Sequence, residues 1–493
     1  MKLKEFSMIL PHRAILAAAT LAILGVSPAS AELGAGNALS TGFPGCVDPY
    51  QFPDEATTPC SAILTFQLGA TASDRAATLR SAGAALGHDL SRYNAASAFV
   101  PNDRALRALA DDPGIASIIP NRRVHVMAKP GACSPWPSCK NDGGDDPVVG
   151  NQETPSGVAR IGAETALNTG AGIGVAIVDT GLDYDHVDLN VSDLCFDAFG
   201  GNCQDDHGHG THVGGIVAAI DNDLDVVGVA PGVALYAVKV LDSAGFGSDA
   251  DIIAGLTWVL DTTNGNVPVV VPPIRVVNMS LGRGGTCGAV DWASGDETGV
   301  PDNPLMREVL QDLTAAGITV VVAAGNDRNK EVKDFVPAGC AEVIAVASTT
   351  ALGGDNRCKR SSSDPIPADT ASFFTTDGAF SDEQPSGKGI GVTISAPGEK
   401  QEDLSCAMVK SEGILSLQLG GGTTRKSGTS MAAPHVAGVV ALMLETTPAL
   451  STEAVRTALR LNADRVGDAP LDPILGDPDI ELEGIVSALP QGL

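Results

Sequence analysis

The sequence predicts an α/β fold, a parallel sheet with helices on both faces, preceded by a smaller α+β unit. Three observations carry this. From about residue 151, buried-type, mainly apolar strand runs recur: GVAIVDT (174–180), VALYAVKVL (233–241), VVNMSL (276–281), ITVVVAAGN (318–326) and VIAVAS (343–348). Helical patterns such as DADIIAGLTWVLD (249–261) and MREVLQDLTAAG (306–317) separate them. Strands without polar alternation are buried on both faces, as in a helix-covered parallel sheet. Before residue 129 the pattern differs: short strands alternate with amphipathic helices, which suits two helices on one face of an antiparallel sheet.

In chain order, residues 1–31 read as a secretory signal. Lys2, Lys4 and Arg13 form the basic region, Ala14–Val26 the apolar core and Ala29-Ser30-Ala31 the cleavage site. The alternative, a membrane anchor, needs about 20 apolar residues, and this run is shorter. An N-terminal extension (32–59) precedes the small unit, 60–128. There AILTFQL, ASAFVP and RRVHVMA read as strands, and ASDRAATLRSAGAAL (72–86) and DRALRALA as helices. Residues 129–150, rich in Pro, Gly, Ser and Asp, form a linker. The larger domain spans 151–493. Its GAGIGV (170–175) lies before a strand, not after it, so the geometry of a dinucleotide fingerprint fails and no organic cofactor is expected.

The formal net charge of −28 offers no basic stripe for nucleic acid. It fits a soluble, self-repelling, monomeric exported protein. Export makes disulfides stable. The ten cysteines fall in chain order into Cys46/Cys60, Cys133/Cys139, Cys195/Cys203, Cys287/Cys340 and Cys358/Cys406, although sequence alone leaves the connectivity open.

Functional groups of a parallel sheet gather at strand carboxyl ends, which here carry Asp179, Ser280 and Asn326. In DDHGHGTHVGG, His207, His209 and His212 could clamp a metal, or one could be a base with two bystanders. Val213, Ile216, Val217 and Ile220 recur at helical spacing, so a helix starts near His209. That puts His209 at a cleft, His212 against the apolar stripe and His207 in the approach loop. In KSGTSMAAPHVAG, Ser430 stands at a helix N-terminus, where free N–H groups favour a developing oxyanion. A plain N-cap serine is the alternative. Asp179, buried at a strand end, needs a partner, and a histidine N–H is a natural one. With the Asn326 amide, nucleophile, base, orienting acid and oxyanion donor are all present.

DTG, HGTHVGG and GTSMAAPHVAG, in this order, resemble the three signatures of the subtilase family, over about 151–465. The Asp–His–Ser order is one of the recognised orders for this triad. The resemblance implies a subtilisin-like serine endopeptidase, made as a zymogen. Asp179 would orient, His209 would be general base, Ser430 nucleophile and Asn326 an oxyanion donor. Ser280, Leu281 and Gly282 would pair with extended substrate, and with Ala323, Ala324 and Gly325 wall the pocket before the cut. Phe335 or Val336 would lie near its floor. It further implies a structural calcium held by Gln152, Asp188 and Asn222 with the carbonyls of Ile220, Leu224 and Val226. By element order and the DDPGIASIIPNRRV stretch, residues 60–128 resemble the family's ferredoxin-like propeptide, an intramolecular inhibitor, and the similarity of TPSGVARIGA to the family's mature start puts maturation in the linker, within about 128–151. The implied localisation is extracellular or periplasmic, and the substrates are proteins or peptides. The competing expectation is a latent or catalytically silent subtilase-like binding protein.

Overall fold

The computed structural model describes residues 57–127, 152–265, 268, 270–288, 301–357, 365–378, 390–405, 408–464 and 482–488. The expected signal, the extension to residue 56, the linker and Cys46, Cys133, Cys139, Cys358 and Cys406 lie outside the described residues, as does the side chain of Cys60.

The N-terminal unit runs β1 (Thr57–Phe66), α1 (Ala72–Ala82), β2 (Ala85–Leu90), β3 (Ala95–Phe99), α2 (Asp103–Ala110) and β4 (Ile115–Val126). Its four strands are antiparallel in the order β4-β1-β3-β2. The expected helix over 72–86 is shorter. Gly83 takes a left-handed conformation (φ 80°) and caps it, releasing Ala85–Leu90 as a strand the sequence reading had not separated. Thr71 and Asp74 close the other end as a reciprocal capping box.

The larger unit runs α3 (Ser156–Arg160), β5 (Gly174–Asp179), β6 (Phe196–Asp197), α4 (His209–Ala218), β7 (Ala234–Lys239), β8 (Phe246–Ser248) and α5 (Asp249–Asn264). There follow β9 (Ile274–Met279), β10 (Leu281–Gly284), α6 (Pro304–Ala315), β11 (Thr319–Ala323), β12 (Phe335–Val336) and β13 (Ile344–Thr350). Last come β14 (Ile394–Ser405), β15 (Met408–Leu417), β16 (Thr423–Lys426), α7 (Thr429–Thr446) and α8 (Thr452–Leu461). Its main sheet has the order β16-β15-β14-β13-β11-β9-β5-β7-β6. From β6 to β14 the pairing is parallel, as expected. The expectation of a purely parallel sheet is corrected at one edge: β14, β15 and β16 form an antiparallel meander, so the sheet is mixed. Short connections permit this, whereas another parallel strand would need a crossover.

The central strands are buried throughout; in β11, Val320, Val321 and Val322 are fully inaccessible. Each such side chain stabilises the fold by roughly 1.5–3 kcal/mol relative to exposure. Helix α7 is apolar on every side, and its first fourteen residues are all buried. Strand order reverses at β5, with β7 on one side and β9 on the other, so loops diverge there and leave a crevice at the strand ends. Cys195–Cys203 and Cys287–Cys340 are bridged, two of the expected couples. Among the described residues no helix is long and apolar enough to cross a membrane.

The two units share one sheet. Residues 123–125 of β4 pair antiparallel with β8, and His125 and Val126 pair with Gly282 and Leu281 of β10.

Candidate active site

Asp179 ends β5 and is fully buried. Its carboxylate faces His209 Nδ1, 2.8 Å from Oδ1 and 3.0 Å from Oδ2, and also accepts the Thr180 N–H at 2.7 Å. His209 opens α4 behind Gly208, which adopts a left-handed turn at φ 84°. The helix approaches the Asp179 strand closely because Gly210 lacks a Cβ; one there would overlap the Gly181 carbonyl. Ser430 lies in the first turn of α7, which begins at Thr429. Its hydroxyl donates to the Ser280 carbonyl at 3.0 Å, and among the described residues His209 Nε2 has no hydrogen-bond partner. Both side chains are buried, at the starts of α7 and α4, which pack against each other, and no hydrogen bond joins the hydroxyl to the imidazole.

The crevice is occupied by the chain itself. The Met127 carbonyl accepts from Asn326 Nδ2 at 2.5 Å and from the Ser430 N–H at 3.3 Å. The Met127 N–H donates to the Ser280 carbonyl at 3.0 Å, and the Val126 N–H to Gly245 at 3.1 Å. Ser280, Leu281 and Gly282 thus pair with the extended backbone of residues 125–127. β8 flanks that backbone on its other side, an element the sequence reading missed although AGFGS carries the glycines such close approach favours.

A Cβ on Gly282 would come within 2.7 Å of Met127 Cε and 3.0 Å of the Val336 carbonyl. Gly325, at φ +126°, would place one 2.7 Å from Thr376 Oγ1 and 3.2 Å from the Phe335 ring. The Met127 side chain thus lies against Gly282, Phe335 lies beside Gly325, and Ala323 and Ala324 are fully buried behind them.

Two supporting groups were not legible in sequence. Thr429 donates to Asn326 Oδ1 from both its N–H and its hydroxyl, each at 2.9 Å, which aims the amide at the Met127 carbonyl. Asp205 is buried and accepts from Thr180 Oγ1 (2.8 Å), Thr211 Oγ1 (2.6 Å) and the N–H groups of His207, Gly208 and Thr211. Burial alone would push its carboxyl up; the Thr211 hydroxyl and those N–H groups outweigh it and hold the group below the usual carboxylate range.

The three histidines have separate surroundings. His212 is fully buried and its Nε2 lies 3.2 Å from the carbonyls of Ile414 and Thr424, while burial drives its pKa well below the usual imidazole value. His207, whose ring centroid is 6.3 Å from that of His209, is lowered by burial and by the neighbouring His209 and Lys426 charges.

At the expected cation position the six residues are linked. Gln152 Nε2 donates to the carbonyls of Ile220 (2.6 Å) and Val226 (3.1 Å), and Val226 N–H donates to Asp188 Oδ2 at 3.3 Å. Asn222 Oδ1 accepts the Leu224 N–H at 3.0 Å and its side chain neighbours Asp188. Asp188 Oδ1 is buried with no hydrogen bond, and burial pushes the carboxyl up to about 7.

This fold and this buried Asp/His/Ser network match a single class: residues 170–477 fit the subtilase family, and the chain belongs to it. It is 32% identical over 422 residues to the extracellular protease of Xanthomonas campestris pv. campestris, covering 77% of this chain and 60% of that protein's length. It is 32% identical over 324 residues to subtilisin DY of Bacillus licheniformis, covering 64% of this chain and 94% of that one. Fervidolysin from Fervidobacterium pennivorans, a keratinolytic enzyme related to subtilisin, shares the fold at a TM-score of 0.59 and 23% identity, over 89% of this chain and 61% of that chain. The similarity to subtilisin-type proteins supports a proteolytic enzyme.

Proposed function

We propose that this chain is a secreted serine endopeptidase, made as a zymogen that cuts itself between Met127 and Ala128. One observation carries the reading: the Met127 carbonyl accepts from both the Asn326 amide and the Ser430 N–H, in a chain whose His209 imidazole is paired with a buried carboxylate. Two donors converge on one carbonyl oxygen, the position where negative charge develops during acyl transfer.

For reaction the Ser430 hydroxyl turns from the Ser280 carbonyl to His209 Nε2. His209 takes its proton as Oγ attacks the carbonyl carbon, and Asp179 holds the imidazole by Nδ1 and stabilises its cation. The amine leaves with that proton, and water then cleaves the acyl-enzyme by the same route. Substrates would bind as residues 123–127 do, added as a strand between β8 and β10, with a large apolar side chain in the place of Met127. Until it departs, residues 57–127 would block the crevice as an inhibitor. The chain spans 60% of the length of the Xanthomonas relative, and the description of that relative as an extracellular protease favours export of this chain.

We also propose a calcium ion held by Asp188, Gln152, Asn222 and the carbonyls of Ile220, Leu224 and Val226. The orphaned Asp188 oxygen fits this, since a divalent cation would neutralise a carboxylate that burial otherwise disfavours, and every donor is oxygen once the Gln152 amide turns over. Bound there, the ion would tie the segment before α3 to the loop after α4. Chelation should lower the melting temperature, and restored calcium should recover it.

The experiment that tests the enzymatic reading is Ser430→Ala. The variant should accumulate at full precursor length and refuse a fluorophosphonate that labels the wild type. A wild-type protein that matures yet refuses the label would favour a silent binding protein.

A further inference from the structure

Lys239 is a charged residue in the otherwise apolar strand VALYAVKVL. It lies directly opposite Asp179 in the parallel pairing of β5 and β7, and only 5% of it is exposed. Its ammonium has three donors, and all three are engaged: the Thr180 carbonyl at 2.6 Å, Asp206 Oδ1 at 2.7 Å and the Leu241 carbonyl at 3.0 Å. A buried ammonium is strongly destabilising unless it is fully paired, so this side chain is held in one place and holds its acceptors in turn.

Those acceptors belong to the two segments that must meet for proton transfer. Thr180 follows Asp179, whose own carbonyl accepts from the N–H groups of Val240 (2.9 Å) and Leu241 (3.1 Å). Asp206 belongs to the loop that ends at His209, and Thr180 Oγ1 reaches the same loop by donating to Asp205 and accepting the Gly210 N–H at 2.9 Å. The ammonium thus bridges the strand end bearing the carboxylate and the loop bearing the imidazole, without touching either group. We propose that Lys239 is a positioning residue for the Asp179–His209 pair, with Asp206 as its counter-ion and second anchor.

The inference rests on the proposed roles of Asp179, His209 and Ser430. Lys239→Met keeps the aliphatic stem and removes the donors. In the mature enzyme kcat should fall on the order of 10²-fold, the cost of misplacing a catalytic group by about 1 Å. KM should stay within about twofold, because the substrate strands β8 and β10 are untouched. The far-downfield proton resonance of the His209–Asp179 hydrogen bond should broaden or move upfield. Asp206→Asn, at a half-exposed site, keeps an acceptor but removes the counter-charge of the ammonium, and should cost about tenfold in kcat with the same change in the resonance. A folded Lys239→Met enzyme with unchanged kcat and resonance overturns the proposal, as does a loss confined to KM. If Lys239→Met does not fold, Asp206→Asn decides, and full kcat with an unchanged resonance overturns it. Fluorophosphonate labelling of Ser430 in the wild type keeps the two failures apart. A wild type that labels beside an undamaged Lys239→Met refutes only the role of Lys239.

Discussion

The N-terminal unit and the peptidase core bury their sheets in different ways. In β1, Ala62, Leu64 and Phe66 face a small core completed by Leu79, Ala96, Ala98, Leu106 and Leu109. The alternate residue Ile63, with Leu90, Ala95, Val124 and Met127, instead joins the large core of the peptidase. One face of the small sheet is thus its own and the other is completed by the larger unit, whereas strands β5, β9 and β11 are covered by their own domain. Charge divides the units in the same sense. Residues 57–127 carry seven arginines against five aspartates within a chain of net charge −28. Arg92 meets Asp261 at 3.1 Å, Arg122 meets Asp302 at 2.9 Å, and His88 meets Asp251 at 2.7 Å across the junction. A small unit with an alanine-rich core is marginal alone. The larger unit completes its second face.

Four variants or conditions bear on this contrast, in falling order of effect. Asn326→Ala removes a donor to the Met127 carbonyl, and kcat and self-processing should both drop on the order of 10²–10³-fold while the melting temperature barely moves. Ile63→Ala should weaken the small unit by about 2–5 kcal/mol, read as faster proteolysis of residues 57–127 in a Ser430→Ala background. The peptidase core should unfold at an unchanged temperature; a fall in both would mean that the units do not behave as host and guest.

The third effect belongs to the core alone. His435 is fully buried with Nδ1 on the Met431 carbonyl at 2.8 Å, and burial lowers its pKa from 6.5 to about 4. A depressed value means that the unfolded chain binds the proton first. The stabilisation is therefore complete above pH 6.5 and is lost as the pH falls to about 4, on the order of 3 kcal/mol. Denaturant unfolding of the inhibited mature enzyme should show this slope, and His435→Asn should flatten it. Smallest is the charge at the junction. Partly exposed ion pairs contribute about 0.2–1 kcal/mol each. Arg92→Ala with Arg122→Ala should weaken retention of the cleaved unit by about three- to tenfold, with much less effect in 1 M salt.

Legibility followed the range of the interactions. DTG, HGTHVGG and GTSMAAPHVAG are local patterns, so Asp179, His209 and Ser430 could be named and their helices and strands placed from sequence. Gly83 was a local signal overlooked, because ASDRAATLRSAGAAL keeps apolar residues beyond it. The antiparallel edge was hidden in a long segment whose tight Gly420-Gly421-Gly422 turn is the only local mark of a hairpin. The seating of Met127 between Asn326 and Ser430 has no local signature, since the partners are 199 and 303 residues away. Lys239 was visible as an oddity in an apolar strand, but its acceptors come from three separate places on the chain.

The central claim is that the bond after Met127 is the one the active site cuts. N-terminal sequencing of the mature enzyme, beside the Ser430→Ala precursor, tests it most directly. The account predicts a first cut that leaves Ala128 at the new N-terminus and no such cut in Ser430→Ala. A wild-type first cut elsewhere in 128–151, or an Ala128 terminus that still appears in Ser430→Ala, would contradict it.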